Sequence, residues 1–269
     1  YEHWSKEEAD ILLQEVASHL HPKIEKKVNL EKYIARADKI GVEILSIDQA
    51  HVGTDKSSQL IQGLIEQLQH LGVCVALHTE VKSLAKDEKK LFLDNGQSIG
   101  FNALILAPGR ADYDWLQTQM DILDVAYSDN VVDIGIRVET KEENYPIVRD
   151  YYDAKILFPH KVRTFCTNSG CAHIVREKYK GYYSVNGHSL SKENTRNNLV
   201  NFAMLKTIRL TEPVVSGQQF GKILGEMVMQ LSGGSVIMQR VGDFRMGVRS
   251  KAQTFNSDLY DFEPTLKSA

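Results

Sequence analysis

The chain has 269 residues, 42% of them hydrophobic and 25% charged, with only 6 Pro; this excludes disorder and collagen-like structure and allows one large domain or two small ones. A net charge of -3 with a pI near 6.3 leaves no basic footprint for nucleic acid or an anionic membrane. The longest apolar runs, such as 103–108, fall far short of the roughly 20 residues a bilayer span needs.

The opening Tyr1-Glu2-His3-Trp4 has neither Met nor a signal-like pattern, and suggests a segment excised from a longer protein. Residues 1–40 read as helical. Ser5 followed by Glu8 is a capping box, because hydroxyl and carboxylate each satisfy a free N–H of the first turn. Ile11, Leu12, Val16 and His19 continue that helix, and Leu30, Tyr33, Ile34 and Ala37 mark a second one stopped by Gly41. A short strand is expected at 42–47. Gly53-Thr54-Asp55 opens a third helix through Leu60, Ile61, Leu64, Ile65 and Leu68, closed by Gly72.

Buried strands are then expected at 73–77 and 103–109, with a further strand at 79–84 and a hairpin at the Asn95-Gly96 pair between them. Helix, buried strand, hairpin and buried strand make an α/β arrangement. A helix follows at 112–123. Short strands are expected at 131–138, 155–158, 162–166, 172–175, 182–185, 202–210 and 236–241, with a helix at 218–231 and a polar tail.

Two stretches carry small hydrogen-bonding residues running into glycine: 162–170, with Arg163, Thr164 and Asn168, and 184–189, with Asn186, Gly187 and His188. Such loops bring backbone N–H groups close to a ligand, although plain β-turns use the same residues. Cys166, Cys171 and His173 lack the fourth ligand of a zinc site and the Cys-x-x-Cys of a redox pair, so no metal is expected. Three cysteines are of the wrong parity for a disulfide framework and fit a reducing, cytoplasmic setting. The Gly-x-Gly-x-x-Gly, P-loop and Gly-x-Ser-x-Gly motifs are missing.

Taken together, Ala50-His51-Val52-Gly53-Thr54-Asp55, Gly72-Val73-x-Val75, Thr79-x-Val81 and 103–109 resemble the middle of FAD-dependent dehydrogenases of the glutathione-reductase-like class. The stretches 132–139, 162–168 and 185–188, Thr211-Glu212-Pro213, Gln239-Arg240-x-Gly242-Asp243 and 263–267 narrow the resemblance to an NAD(P)/FAD-dependent oxidoreductase subgroup. The resemblance implies a partial FAD-binding α/β domain over 1–127, an inserted substrate or cap domain with a mixed sheet and α+β character over 128–245, and a tail, 246–269, returning toward the FAD domain.

It further implies that backbone at Val81 and at Ala107-Pro108-Gly109 lies near the dinucleotide, with Pro108 removing one donor. Arg137, Arg163, Thr164, Asn168, Asn186 and His188 would line the substrate cavity. There Arg163 and Arg137 would suit a carboxylate or phosphate and His188 a proton transfer, with His188 and Arg163 as the candidate catalytic residues. FAD would be held by the complete protein, with NAD(P)H as a possible electron donor. The Gly-rich pyrophosphate loop is missing, so this chain alone is expected to be inactive. The small-molecule substrate carries no signature, and neither does the oligomeric state. The alternative is a non-catalytic ligand-binding or protein-interaction domain of flavoprotein-like topology.

Overall fold

The computed structural model describes residues 4–25, 27–109, 112–190, 196–214, 216–255 and 263–266. Helix α1 (Lys6–Leu20) starts at the expected capping box: Ser5 Oγ accepts from Glu8 N at 3.2 Å and Glu8 Oε2 accepts from Ser5 N at 2.8 Å. After it come β1 (Lys23–Ile24), α2 (Leu30–Asp38), β2 (Glu43–Leu45) and β3 (Ala50–His51), with β1 and β3 paired. Gly41 turns the chain out of α2 at φ 67°.

These early elements pack against later ones. Leu30, Tyr33 and Ile44 join Ile147, Tyr151 and Ala154 in one core cluster. Tyr151, 1% exposed, donates its hydroxyl to Leu45 O at 2.7 Å and accepts from Ile47 N at 3.1 Å. Residues 27–50 therefore belong with the sheet of the later half, which corrects the unit expected at 1–127. Burying one tyrosine and its hydroxyl outweighs proximity in sequence.

Helix α3 (Thr54–His70) leads to a meander of β4 (Val81–Ala85), β5 (Lys90–Leu93) and β6 (Ser98–Gly100), turned at Asn95-Gly96 as expected. Helix α4 (Tyr113–Ile122) packs on the meander. Its Gln119, 2% exposed, accepts from Leu84 N at 3.1 Å, and Trp115 Nε1 donates to Lys82 O at 3.1 Å. The strands expected at 73–77 and 103–109 form no ladder among the described residues. Leu77 is 70% and Ile105 91% exposed. Their composition suits a buried strand, but a strand exists only when a neighbour pairs with it.

The second half is built on β7 (Val132–Lys141), β8 (Lys155–Phe158), β9 (Val162–Ser169) and β12 (Leu199–Ile208), which with β2 form a five-stranded sheet in the order β2-β8-β9-β12-β7. Strands β10 (Ala172–Lys178) and β11 (Tyr183–Ser189) form a separate hairpin. Every described pair is antiparallel, so the chain mixes helices with antiparallel sheets, and the sheet expected to be mixed is not. Helices α5 (Gly217–Ser232), α6 (Val241–Arg245) and α7 (Ala252–Phe255) follow. The strand expected at 236–241 does not form: 236–240 have no regular structure and α6 begins at Val241, its Asp243 accepting from Ser250 Oγ at 2.7 Å and so tying a local loop together.

The five-stranded sheet has unlike faces. One is apolar: Val138, Val200, Phe202 and Met204 pack under Tyr145 and Val148, with the Tyr145 and Phe202 rings stacked 4.7 Å apart. The other is polar and partly covered by the β10–β11 hairpin. The expected return of the tail to the FAD-type block also shifts. Thr265 N donates to Glu139 Oε2 at 3.0 Å and Thr265 Oγ1 accepts from Ile174 N at 2.9 Å, so residues 263–266 lie on this polar side; 256–262 and 267–269 are outside the described residues.

The β8–β9 turn places two consecutive non-glycine residues, His160 at φ 63° and Lys161 at φ 60°, in the left-handed region. Asn-Gly is the natural occupant of such a turn, since each L-residue with a bulky side chain costs about 1 kcal/mol there. Joint replacement His160→Asn and Lys161→Gly is expected to raise the unfolding free energy by about 1–2 kcal/mol in urea titration. An unchanged midpoint would contradict the strain.

The chain exposes 19325 Å², against about 12,000 Å² for a compact 30.4 kDa monomer by the usual area scaling. Many large apolar side chains are exposed. Helix α1 has no buried residue, and Ile105, Leu77, Phe244 and Met246 stand in solvent.

Candidate functional site

The polar face of the sheet is organised by a β-bulge in β9. Asn168 faces Asn201 and Phe165 faces Ala203, so Cys166 and Thr167 together oppose Phe202. The extra residue kinks the strand and takes its backbone out of the ladder. Cys166 adopts φ 49°, and its carbonyl accepts from Arg137 Nη2 at 2.6 Å and Asn168 Nδ2 at 3.0 Å. The Thr167 N–H is redirected to Asp153 Oδ1 at 2.7 Å, while Lys155 Nζ holds the other carboxylate oxygen at 2.6 Å.

Arg137 lies on the neighbouring strand β7 but one. Its Nε donates to Asn201 Oδ1 at 2.9 Å, and Asn168 Nδ2 reaches the same oxygen at 3.3 Å. With two donors aimed at one atom, the orientation of the Asn201 amide is fixed by the network. The Cys166 sulfur sits 3.5 Å from Arg137 Nη2 and 3.6 Å from Asn168 Nδ2. Gly187 of β11 closes the cluster from above: a Cβ there would fall 1.8 Å from Arg137 Nη2 and 2.2 Å from Asn201 Oδ1.

The cluster is rich in donors and poor in acceptors. Asn201 is wholly buried, and its Nδ2 has no hydrogen-bond partner. No carboxylate pairs with Arg137 among the described residues, whereas Arg163 pairs with Asp133, Lys155 with Asp153, and Arg149 and Arg196 with Glu142. Nearby, burial raises the Tyr152 hydroxyl above its ordinary range against a hydrogen bond with Ser189.

The residues singled out in the sequence as cavity-lining separate into four places. Arg137 and Asn168 meet in the bulge cluster. Arg163 is further along the same face, held by Asp133 at 2.6 Å and lying over the Phe165 ring at 5.0 Å. It borders a pocket of about 470 Å³ lined also by Glu43, Leu157, Lys161 and Thr207. Asn186 and His188 flank Gly187, so strand alternation turns them to the outer side of the hairpin, where His188 faces His173.

Thr164 is 2% exposed on the apolar side; its hydroxyl donates to Ala154 O and accepts from Ile156 N, both at 2.9 Å. It is a structural residue, not a lining one. Val81 begins β4 in the meander, and 107–109 follow an unpaired stretch. Cys171 Sγ lies 3.6 Å from His173 Nε2. No group of three or more His, Cys, Asp or Glu is arranged for a metal ion, and no helix is long and apolar enough to cross a membrane, among the described residues.

Asn201 escaped the sequence reading. Its signal was a polar residue inside the apolar run Leu199-Val200-Asn201-Phe202-Ala203, which in a buried strand demands a partner.

No family model matches the chain. An uncharacterized protein of Clostridium beijerinckii is 26% identical over 231 residues, covering 75% of this chain and 42% of that protein. The chain thus spans less than half the length of this relative.

Proposed function

We propose that the chain is the central portion of an FAD-dependent oxidoreductase, with the polar sheet face forming a wall of its substrate cavity. The observation that carries this reading is the block 54–122. It joins a helix, a meander and a packed helix to two apolar stretches, around Leu77 and Ile105, that stand 70% and 91% exposed. Such stretches are what an α/β cofactor domain presents when its central sheet is completed from elsewhere in a longer protein.

Bound FAD would supply the hydride chemistry, with NAD(P)H as electron donor. Arg137 and Asn168 then orient the substrate on the polar face, and Arg163 borders its open end. His188 serves proton transfer only for a substrate that reaches the outer side of the hairpin. The backbone at Val81 and 107–109 is assigned to the dinucleotide. Three free cysteines support a cytoplasmic setting.

The test is a titration of flavin fluorescence. Protein expressed from the gene with its natural ends should quench FAD stoichiometrically, and this chain alone at least a hundredfold more weakly. Equal, negligible quenching by both would overturn the proposal in favour of a cofactor-free binding domain.

A further inference from the structure

We propose that the bulge cluster is a carboxylate-binding site, in which Arg137 and Asn201 grip the two oxygens of a small organic acid. This rests on the reading of the polar face as substrate-lining, and it names the chemical class of what is bound there.

Donors outnumber acceptors in the cluster. A guanidinium offers five N–H groups in a planar fork. Two of its nitrogens are engaged, Nε with Asn201 Oδ1 and Nη2 with the Cys166 carbonyl, and both acceptors are neutral. The Nη1 hydrogens have no acceptor among the described residues. Asn201, wholly buried, adds a partnerless Nδ2 to the same cluster. A half-buried cation without a counter-ion, beside an unsatisfied buried amide, is costly. An anion with at least two acceptor oxygens relieves both defects.

The surroundings favour a planar monoanion over a bulkier, more highly charged one. Among the described residues Arg137 is the one cation of the cluster without a carboxylate partner, since Lys155 is held by Asp153, and the backbone at Gly187 lies so close that a Cβ would overlap the guanidinium. A carboxylate matches the single charge of one arginine, while a phosphate dianion would remain half neutralised. On the other side, Ala203 is the cross-strand neighbour of Arg137 and contributes only a methyl group. The half-buried Cys166 marks where the cluster meets solvent.

The experiment uses this chain without flavin, so that its outcome does not depend on cofactor binding. Acetate, succinate, benzoate and inorganic phosphate are titrated at constant ionic strength, with thermal unfolding and the backbone amide signals of Cys166 and Gly187 as readouts. At least one carboxylate should raise the melting temperature and shift both amides in a saturable way, with at least tenfold tighter binding than phosphate.

Two variants define the site. Arg137→Gln should weaken that binding at least tenfold. Asn201→Asp, which supplies the missing counter-charge from within, should abolish it while leaving the protein folded. Should Arg137→Gln fail to fold, Asn201→Asp alone decides. The proposal is overturned by the absence of any saturable response, by equal affinity for phosphate, or by Asn201→Asp binding as the wild type does. Failure here with a flavin-loaded parent protein would remove the carboxylate and keep the oxidoreductase.

Discussion

Substituting Gly135→Ala is expected to destabilise the chain by about 3 kcal/mol or more, the upper range for steric insertion into a packed site. The reason is where the new atom would land. A Cβ on Gly135 lies 1.8 Å from Met204 O, 2.8 Å from Met204 C and 2.9 Å from Leu205 Cα, all of them backbone. No rotamer relieves such a clash, so β7 and β12 must separate across the Gly135–Leu205 pair.

The control is Gly63→Ala in α3, where nothing lies within 4 Å of the added carbon. There the change should stabilise by about 0.5–1 kcal/mol through helix propensity alone. Urea titration of both variants measures the contrast. A Gly135→Ala protein as stable as the wild type would mean that the β7–β12 ladder is not as close as described.

The second large effect is expected at Glu142. Its carboxylate is buried, with 8% of the side chain exposed, and takes Arg149 Nε at 2.9 Å and Arg196 Nη2 at 3.1 Å. Burial alone pushes this carboxyl upward, but the hydrogen bonds from Arg149 and Arg196 prevail and hold it below its ordinary value of 4.5. Both arginine side chains are about 60% exposed, so solvent screening trims the pair's worth. Glu142→Gln should cost about 2 kcal/mol at neutral pH.

The sign of the pH dependence follows from the lowered value. A carboxyl with a depressed folded-state pKa contributes stability that is complete above its unfolded value. That stability is lost as pH falls through 4.5 and on through the folded value. The gap in stability between wild type and Glu142→Gln should therefore be full at neutral pH and close in acid. Other lowered carboxyls, such as Asp150 beside Lys32, titrate equally in both proteins and cancel. A gap independent of pH would show that the ion pairs contribute nothing.

What the sequence made legible was local. Ser5 and Glu8 announce α1, Gly41 and Gly72 end the helices before them, Asn95-Gly96 turns the meander, and 155–158 is a strand to the residue, because turn and cap chemistry is written within a few positions. What depended on distant partners was not legible. The stretches 73–77 and 103–109 have the composition of buried strands, yet no described strand pairs with them.

The same holds for the site. Arg137 and Asn168 were singled out on residue type, but what unites them is a bulge that no spacing rule reveals, together with Asn201 from a strand 33 positions beyond Asn168. Thr164 shows the converse. Its hydroxyl sits in a strand that looks like a ligand loop, and the register of β9 turns it toward Ala154 and Ile156 instead. Face assignment depends on register, and a single bulge reassigns every residue beyond it.

The central claim, that this chain is the middle of a flavoenzyme, is tested most directly by the visible absorbance spectrum of the purified protein expressed from the gene with its natural ends. A yellow protein with a flavin spectrum that bleaches on reduction is expected. A colourless protein that stays colourless after incubation with FAD would contradict it.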